Sequence, residues 1–143
     1  MPKLNHPADL NKFALSLKDI FSGSFTHAIV SNFLISPEHL LNAAPRLKIV
    51  PSIRVYGDMS GEEGYATNAT NGNMTLYKPK MDKYGSMHSN FALLFYPTGI
   101  RVTIFTCNWI NEPYLTNGVY VQDFSLKDPC SPPPHPLRSL KKS

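Results

Sequence analysis

The feature of this sequence that most restricts its fold is a pair of short apolar runs separated by a turn. Residues 91–96 and 100–105 are rich in aromatic and aliphatic side chains, and Pro-Thr-Gly stands between them at 97–99. This pattern predicts a β-hairpin. His88 stands at the start of the first strand and Asn108 just after the end of the second, and in an antiparallel pair these points lie side by side. The hairpin is therefore predicted to present an imidazole and a carboxamide at one edge of a sheet.

Further strands and a short helix are predicted around this hairpin. Ser36 can cap a helix, Pro37 suits its first turn, and Glu38 complements the positive end of its dipole. Pro51 interrupts one predicted strand and favours an edge position or a bulge there. The other predicted strands are residues 25–35, 47–56, 74–77 and 118–124. The predicted class is α/β: a mixed sheet of about five or six strands with few, short helices.

One folded unit with a flexible segment at each end is expected. The 143 residues suffice for a single hydrophobic core. Residues 1–14 are polar and are predicted to form a flexible arm, and residues 15–128 to form the domain. Residues 129–143 are proline-rich and basic, which is typical of a disordered tail.

Charge and cysteine content restrict the partners and the compartment only loosely. The net charge of +4 permits a phosphate-bearing partner without requiring one. Two cysteines do not make a disulfide framework, and no secretory signal pattern is present. No apolar run approaches the roughly 20 residues that span a bilayer. We expect an intracellular protein that does not associate with a membrane.

The segment around the hairpin resembles the first catalytic half of the tyrosyl-DNA phosphodiesterase family, which belongs to the phospholipase D superfamily. That family has aromatic-Gly-Thr-His-His-x-Lys, then two strands, then Ser-Asn. This sequence has Tyr-Gly-Ser-Met-His-Ser-Asn at 84–90 and Thr-Cys-Asn at 106–108. The interval from His88 to Asn108 agrees with the family, but Asn90 stands where the family has lysine. The resemblance implies one half of the two-lobed phospholipase D architecture.

The resemblance also implies a chemistry and the residues that perform it. A histidine attacks phosphorus, a second histidine protonates the leaving oxygen, and cations and amides hold the non-bridging oxygens. By the resemblance, His88 is the nucleophile, Asn108 is an amide donor to phosphate, and Asn90 occupies the lysine's position. The predicted DNA-binding residues are Lys83, Tyr84, Gly85 and Ser86. The family mechanism needs no metal, the sequence has no cluster of metal ligands at zinc spacing, and no cofactor is expected.

Two deficits make this site incomplete by the same reasoning. Loss of the lysine costs about 10²–10³ in rate, since a charge-assisted phosphate contact is missing. The general acid belongs to the family's second half and is worth a further ~10²–10⁴. We expect a tyrosyl-DNA phosphodiesterase-like protein of DNA end repair that acts through a covalent phosphohistidine, with a degenerate site and no activity as a lone half.

The expected partners are single-stranded DNA 3′ ends or DNA–peptide adducts, in the nucleus. A lone half is also expected to expose an apolar face, which predicts a second-half chain or self-association. Two alternatives stay open. One is a non-catalytic nucleic-acid-binding or interaction module that keeps the scaffold. The other is a fragment with no independent role.

Overall fold

A computed structural model describes residues 15–58, 66–68, 72–109 and 118–127. Two short α-helices, α1 and α2, and one 3₁₀ helix accompany seven strands within these ranges. The helices are α1 Leu17–Ile20, α2 Pro37–Ala43 and the 3₁₀ helix Pro45–Ile49; the strands are β1 His27–Leu34, β2 Ser52–Asp58, β3 Ala66–Asn68, β4 Met74–Tyr77, β5 Phe91–Tyr96, β6 Gly99–Phe105 and β7 Val119–Ser125.

All seven strands join one open mixed sheet in the order β3-β4-β2-β1-β5-β6-β7. β1 pairs in parallel with β2, and β2 with β4, whereas the other neighbours are antiparallel. The predicted class, a mixed sheet with few short helices, is confirmed. β1 is the strand at which the parallel strands β4, β2 and β1 meet the antiparallel strands β5, β6 and β7.

The core lies on one face of the sheet because side chains alternate between faces along a strand. Ala28 and Val30 of β1 are buried, as are Ile53 and Val55 of the neighbouring β2. Side chains from α1, α2 and the 3₁₀ helix cover them, including Leu17, Ile20, Leu40 and Leu47. The opposite face of β6 and β7 is exposed, with Ile104 at 52%, Tyr120 at 53% and Phe124 at 51%.

The predicted helix start at Ser36 is confirmed. The Ser36 hydroxyl accepts a hydrogen bond from the His39 backbone N–H at 3.3 Å, and Pro37 occupies the first turn. The prediction for Pro51 was wrong, because β2 begins one residue later and lies between β4 and β1. Residues 47–49, predicted as strand, belong to the 3₁₀ helix, so the proline removes no hydrogen bond from the sheet.

The predicted central hairpin is confirmed as β5 and β6, with Phe91 opposite Ile104 and Tyr96 opposite Gly99. Three-residue β3 was not predicted, since it lies in the polar, turn-rich interval between β2 and β4. The proposed arm, residues 1–14, and the tail, residues 129–143, lie outside the described residues. The boundaries of the domain therefore stay a prediction.

Candidate phosphodiester site

The candidate site is built on the last residues of β1. Asn32 is fully buried, and its side-chain amide donates to the Cys107 carbonyl at 2.9 Å. Its oxygen accepts the Trp109 backbone N–H at 3.1 Å, and that N–H also donates to the Leu34 carbonyl at 2.9 Å. One buried carboxamide thus fixes the chain on both sides of Asn108.

Apolar packing reinforces this attachment. Trp109 is 2% exposed and makes edge-to-face contacts with Phe21 and Phe105, at ring-centroid distances of 5.7 and 4.7 Å. Burial raises the pKa of the Cys107 thiol, which keeps it protonated at neutral pH. Cys107 is therefore a core residue, and Asn108, half-buried, is the member of this segment that the packing leaves partly open to solvent.

The next residue of β1, Phe33, contacts the other half of the motif. Its backbone N–H donates to the Asn90 side-chain oxygen at 2.9 Å. Its ring stacks on the imidazole of His88, with centroids 4.1 Å apart and an angle of 22° between the planes. His88 is exposed, so the Phe33 ring covers one face of an imidazole that solvent reaches from the other side.

The hairpin carries both predicted site residues at one end. Phe105 donates its N–H to the Asn90 carbonyl at 2.9 Å, which extends the pairing of β5 and β6 by one residue. His88 precedes this point and Asn108 follows it, so both lie at the edge of the sheet where β1 ends. Their common action on one phosphate stays a prediction.

The predicted DNA-binding segment lies beside this edge. Tyr84 is 90% exposed, and the Lys83 ammonium lies 5.4 Å from the centre of its ring. Lys83, Gly85 and Ser86 line a cleft of about 310 Å³ that Phe33 also borders. The cleft lies where the parallel strands β1, β2 and β4 end, which is the usual location of ligands in such sheets.

Electrostatics around the cleft are mixed rather than uniformly basic. Lys78 forms a salt bridge with Asp58 at 3.1 Å, so part of its charge is neutralised locally. Lys83 also lines the cleft, and Asp82 precedes it in the chain. Among the described residues, no group of three or more histidine, cysteine or acidic side chains could hold a metal ion. None of the described helices is both long and apolar enough to span a bilayer.

Sequence reasoning missed Asn32 and Phe33. The signal for Asn32 was present, because a carboxamide inside the apolar run 25–35 must find hydrogen-bond partners when it is buried. The role of Phe33 carried no such signal, since an aromatic residue in a strand is ordinary.

The open mixed sheet, with a histidine leading into its central hairpin and an asparagine following it, defines a half domain of the phospholipase D type. The profile of the tyrosyl-DNA phosphodiesterase family matches residues 1–137. The chain belongs to that family.

Individual relatives agree with this assignment. The chain is 32% identical over 128 residues to tyrosyl-DNA phosphodiesterase 1 of Arabidopsis thaliana, covering 87% of this chain and 21% of that protein. Yeast tyrosyl-DNA phosphodiesterase shares the fold, with a TM-score of 0.57, 23% identity, and coverage of 73% of this chain and 27% of that one. A variant of the yeast protein gives a TM-score of 0.58 at 22% identity, with the same two coverages. The chain thus spans about a fifth to a quarter of the length of these relatives.

Proposed function

We propose that this chain carries the nucleophile-bearing half of a phosphodiesterase site for DNA 3′ ends that are linked to tyrosine or a peptide. The observation that carries the proposal is the arrangement at the end of β1. Asn32 fixes the segment that contains Asn108, while Phe33 contacts the segment that contains His88. Two consecutive residues therefore bring the two halves of the motif to one sheet edge.

In this proposal a nitrogen of His88 attacks phosphorus, and the phosphorus–oxygen bond to the leaving group breaks as the phosphorus–nitrogen bond forms. The product is DNA linked to His88 through phosphate. Asn108 donates hydrogen bonds to a non-bridging oxygen as charge accumulates on it. A tyrosine leaving group needs a proton in this step, and the residues described here supply no second histidine at the site. Water then cleaves the phosphorus–nitrogen bond only slowly.

DNA is proposed to approach along residues 83–86. The Tyr84 ring is free to stack on a base, and Lys83 beside it attracts the phosphate backbone. Gly85 and Ser86, which line the cleft, follow Tyr84 along the chain toward His88. The partners proposed on this basis are single-stranded 3′ ends and DNA–peptide adducts, in DNA end repair in the nucleus.

A leaving group that departs without being protonated allows nucleophilic attack to be tested although the general acid is missing. We expect a 3′-(p-nitrophenyl phosphate) oligonucleotide to release nitrophenolate in a burst of at most one equivalent. The oligonucleotide should remain covalently attached to the protein at His88. Stopped-flow absorbance measures the released nitrophenolate, and intact-protein mass spectrometry measures the covalent adduct in the same reaction.

His88→Ala should abolish both the burst and the adduct, whereas His39→Ala, a matched histidine in α2, should leave both unchanged. Asn108→Ala should slow the burst by about 10²–10³-fold, in line with the loss of one transition-state donor. A burst that persists without His88, or an adduct on another residue, would remove the proposed nucleophile.

A non-catalytic single-strand-binding module is the second candidate, favoured by the 90% exposure of Tyr84. It requires affinity for single-stranded DNA that weakens as salt increases and falls with Tyr84→Ala, without any adduct in the nitrophenyl experiment. Fluorescence anisotropy with a labelled oligonucleotide measures this affinity. Tyr120→Ala, which removes another exposed tyrosine, serves as the control.

A further inference from the structure

Asn90 makes a contact that a lysine at the same position cannot make. Its side-chain oxygen accepts the Phe33 backbone N–H at 2.9 Å. A lysine ammonium has only donors, so it offers no acceptor to this N–H. Asn90, the residue that departs from the family motif, is therefore hydrogen-bonded to the end of β1.

The Phe33 N–H needs such a partner because the pairing of β1 is irregular at this residue. The register with β2 shifts between Asn32 and Leu34, and the pairing with β5 ends at Ser31 opposite Phe91. Phe33 thus lies within the irregularity on the β2 side and past the end of the ladder on the β5 side. The Asn90 side chain replaces the missing strand partner, as a bulged residue requires.

The Phe33 ring then acts on His88. An exposed histidine ordinarily samples several rotamers, whereas this imidazole stacks on Phe33 at 4.1 Å. Stacking against a ring whose backbone is fixed by Asn90 restricts the imidazole to orientations parallel to that ring. A nucleophile held in one orientation reacts faster than one that must find it.

We propose that Phe33 and Asn90 form a bracket that positions His88, and that Asn90 serves the site through this bracket rather than as a substitute for the lysine. The inference rests on the proposed nucleophilic role of His88 for its effect on rate. Its structural part, the orientation of the imidazole, stands independently of any activity.

Substitutions at position 90 distinguish the two roles. Asn90→Asp keeps the acceptor for the Phe33 N–H but places a negative charge near the phosphate. Asn90→Lys restores the family residue but loses the acceptor. The bracket predicts that the His88 orientation survives in Asn90→Asp and is lost in Asn90→Lys. A lysine-substitute role predicts no effect of either change on that orientation.

The orientation is measured by NMR on the full chain with labelled histidine. In the wild type, the ring current of Phe33 should shift the His88 ring protons upfield. Phe33→Leu and Asn90→Lys should remove this shift, whereas Phe33→Tyr and Asn90→Asp should retain it. The ring protons of His27 and His39 should not change in any of these variants, which also reports that the fold is intact. Retention of the shift in Asn90→Lys would overturn the bracket, because the imidazole would then stay stacked without the Asn90 acceptor.

The nitrophenyl burst supplies the second readout. Phe33→Leu should slow the burst by about 10²-fold without changing the affinity for the oligonucleotide, whereas Phe33→Tyr should keep the wild-type burst. An unchanged burst in Phe33→Leu would refute the proposed effect of the bracket on rate. If the wild type shows no burst, the proposed function fails while the NMR shifts still decide whether the bracket exists.

Discussion

At the scale of single residues, Asn32 determines where the candidate phosphate donor lies. It is buried, and its amide satisfies the Cys107 carbonyl and the Trp109 N–H simultaneously. These two hydrogen bonds lie in a low-dielectric interior, so they hold the backbone of Asn108, which lies between Cys107 and Trp109, more firmly than packing alone.

Asn32→Leu is therefore expected to destabilise the fold. The substitution keeps the branched shape and the number of heavy atoms but leaves the Cys107 carbonyl without its partner, which costs about 1–3 kcal/mol. Chemical denaturation measures this loss of unfolding free energy. Ser31→Ala, at the preceding buried position of β1, is the control, and we expect it to cost less because it removes only a hydroxyl. An unchanged denaturation midpoint in Asn32→Leu would contradict the proposed role of Asn32 in fixing residues 107–109.

At the scale of elements, β6 and β7 are joined to the end of α1 by one side chain. Arg101 binds the Asp123 carboxylate through two nitrogens at 2.7 and 2.9 Å and also donates to the Ile20 carbonyl at 3.1 Å. Its guanidinium lies 5.4 Å from the Tyr96 ring. The helix, the hairpin and the last strand thus share one cation.

This arrangement predicts a pH dependence of stability. The hydrogen bond from Arg101 lowers the pKa of Asp123 below its ordinary value of 3.8. The pKa of Asp123 is lower in the folded state than in the unfolded state. The pair with Arg101 therefore stabilises the fold fully above the unfolded-state pKa, and this stabilisation is lost as the pH falls through the folded-state pKa. Asp123 is 64% exposed, so we expect less than about 1 kcal/mol. Thermal melts between about pH 5 and pH 2 should show a smaller acid destabilisation in Asp123→Asn than in the wild type. An equal dependence of the melting temperature on pH in the two proteins would mean that the Arg101–Asp123 pair contributes nothing to stability.

The elements also show how far the sequence predicted the structure. Turn and cap residues act locally, so the hairpin turn at 97–99 and the Ser36 cap were predictable from their neighbours. Pro51 was misplaced because a proline just before a strand looks, in sequence, like one inside it. The contacts of Asn90 and Phe33 join residues far apart in the chain, and the register shift that brings them together exists only in the assembled sheet. The motif indicated the candidate site, and the sheet determines which residues its side chains contact.

At the scale of the whole molecule, the helices cover one face of the sheet, and the opposite face is exposed at β6 and β7. Ile104 pairs with Tyr120 and Ile100 with Phe124 across β6 and β7, which forms an apolar strip on the face away from the helices. Gln122, between Tyr120 and Phe124, interrupts the strip on β7. Three of the apolar side chains in this strip are about half exposed. An apolar strip of this kind favours association, because burying it removes apolar surface from water.

The chain alone is therefore expected to self-associate through this face. Sedimentation velocity over a range of concentrations should show a shift from monomer to a larger species that Ile104→Lys weakens. Ile49→Lys is the matched control, since Ile49 is 68% exposed but lies in the 3₁₀ helix on the covered side. The same introduced charge should then leave association unchanged. Equal effects of the two lysines would mean that net charge, and not the strip, governs association. A monomer at all concentrations would mean that the apolar strip is too small to drive association without a partner that contributes apolar surface of its own.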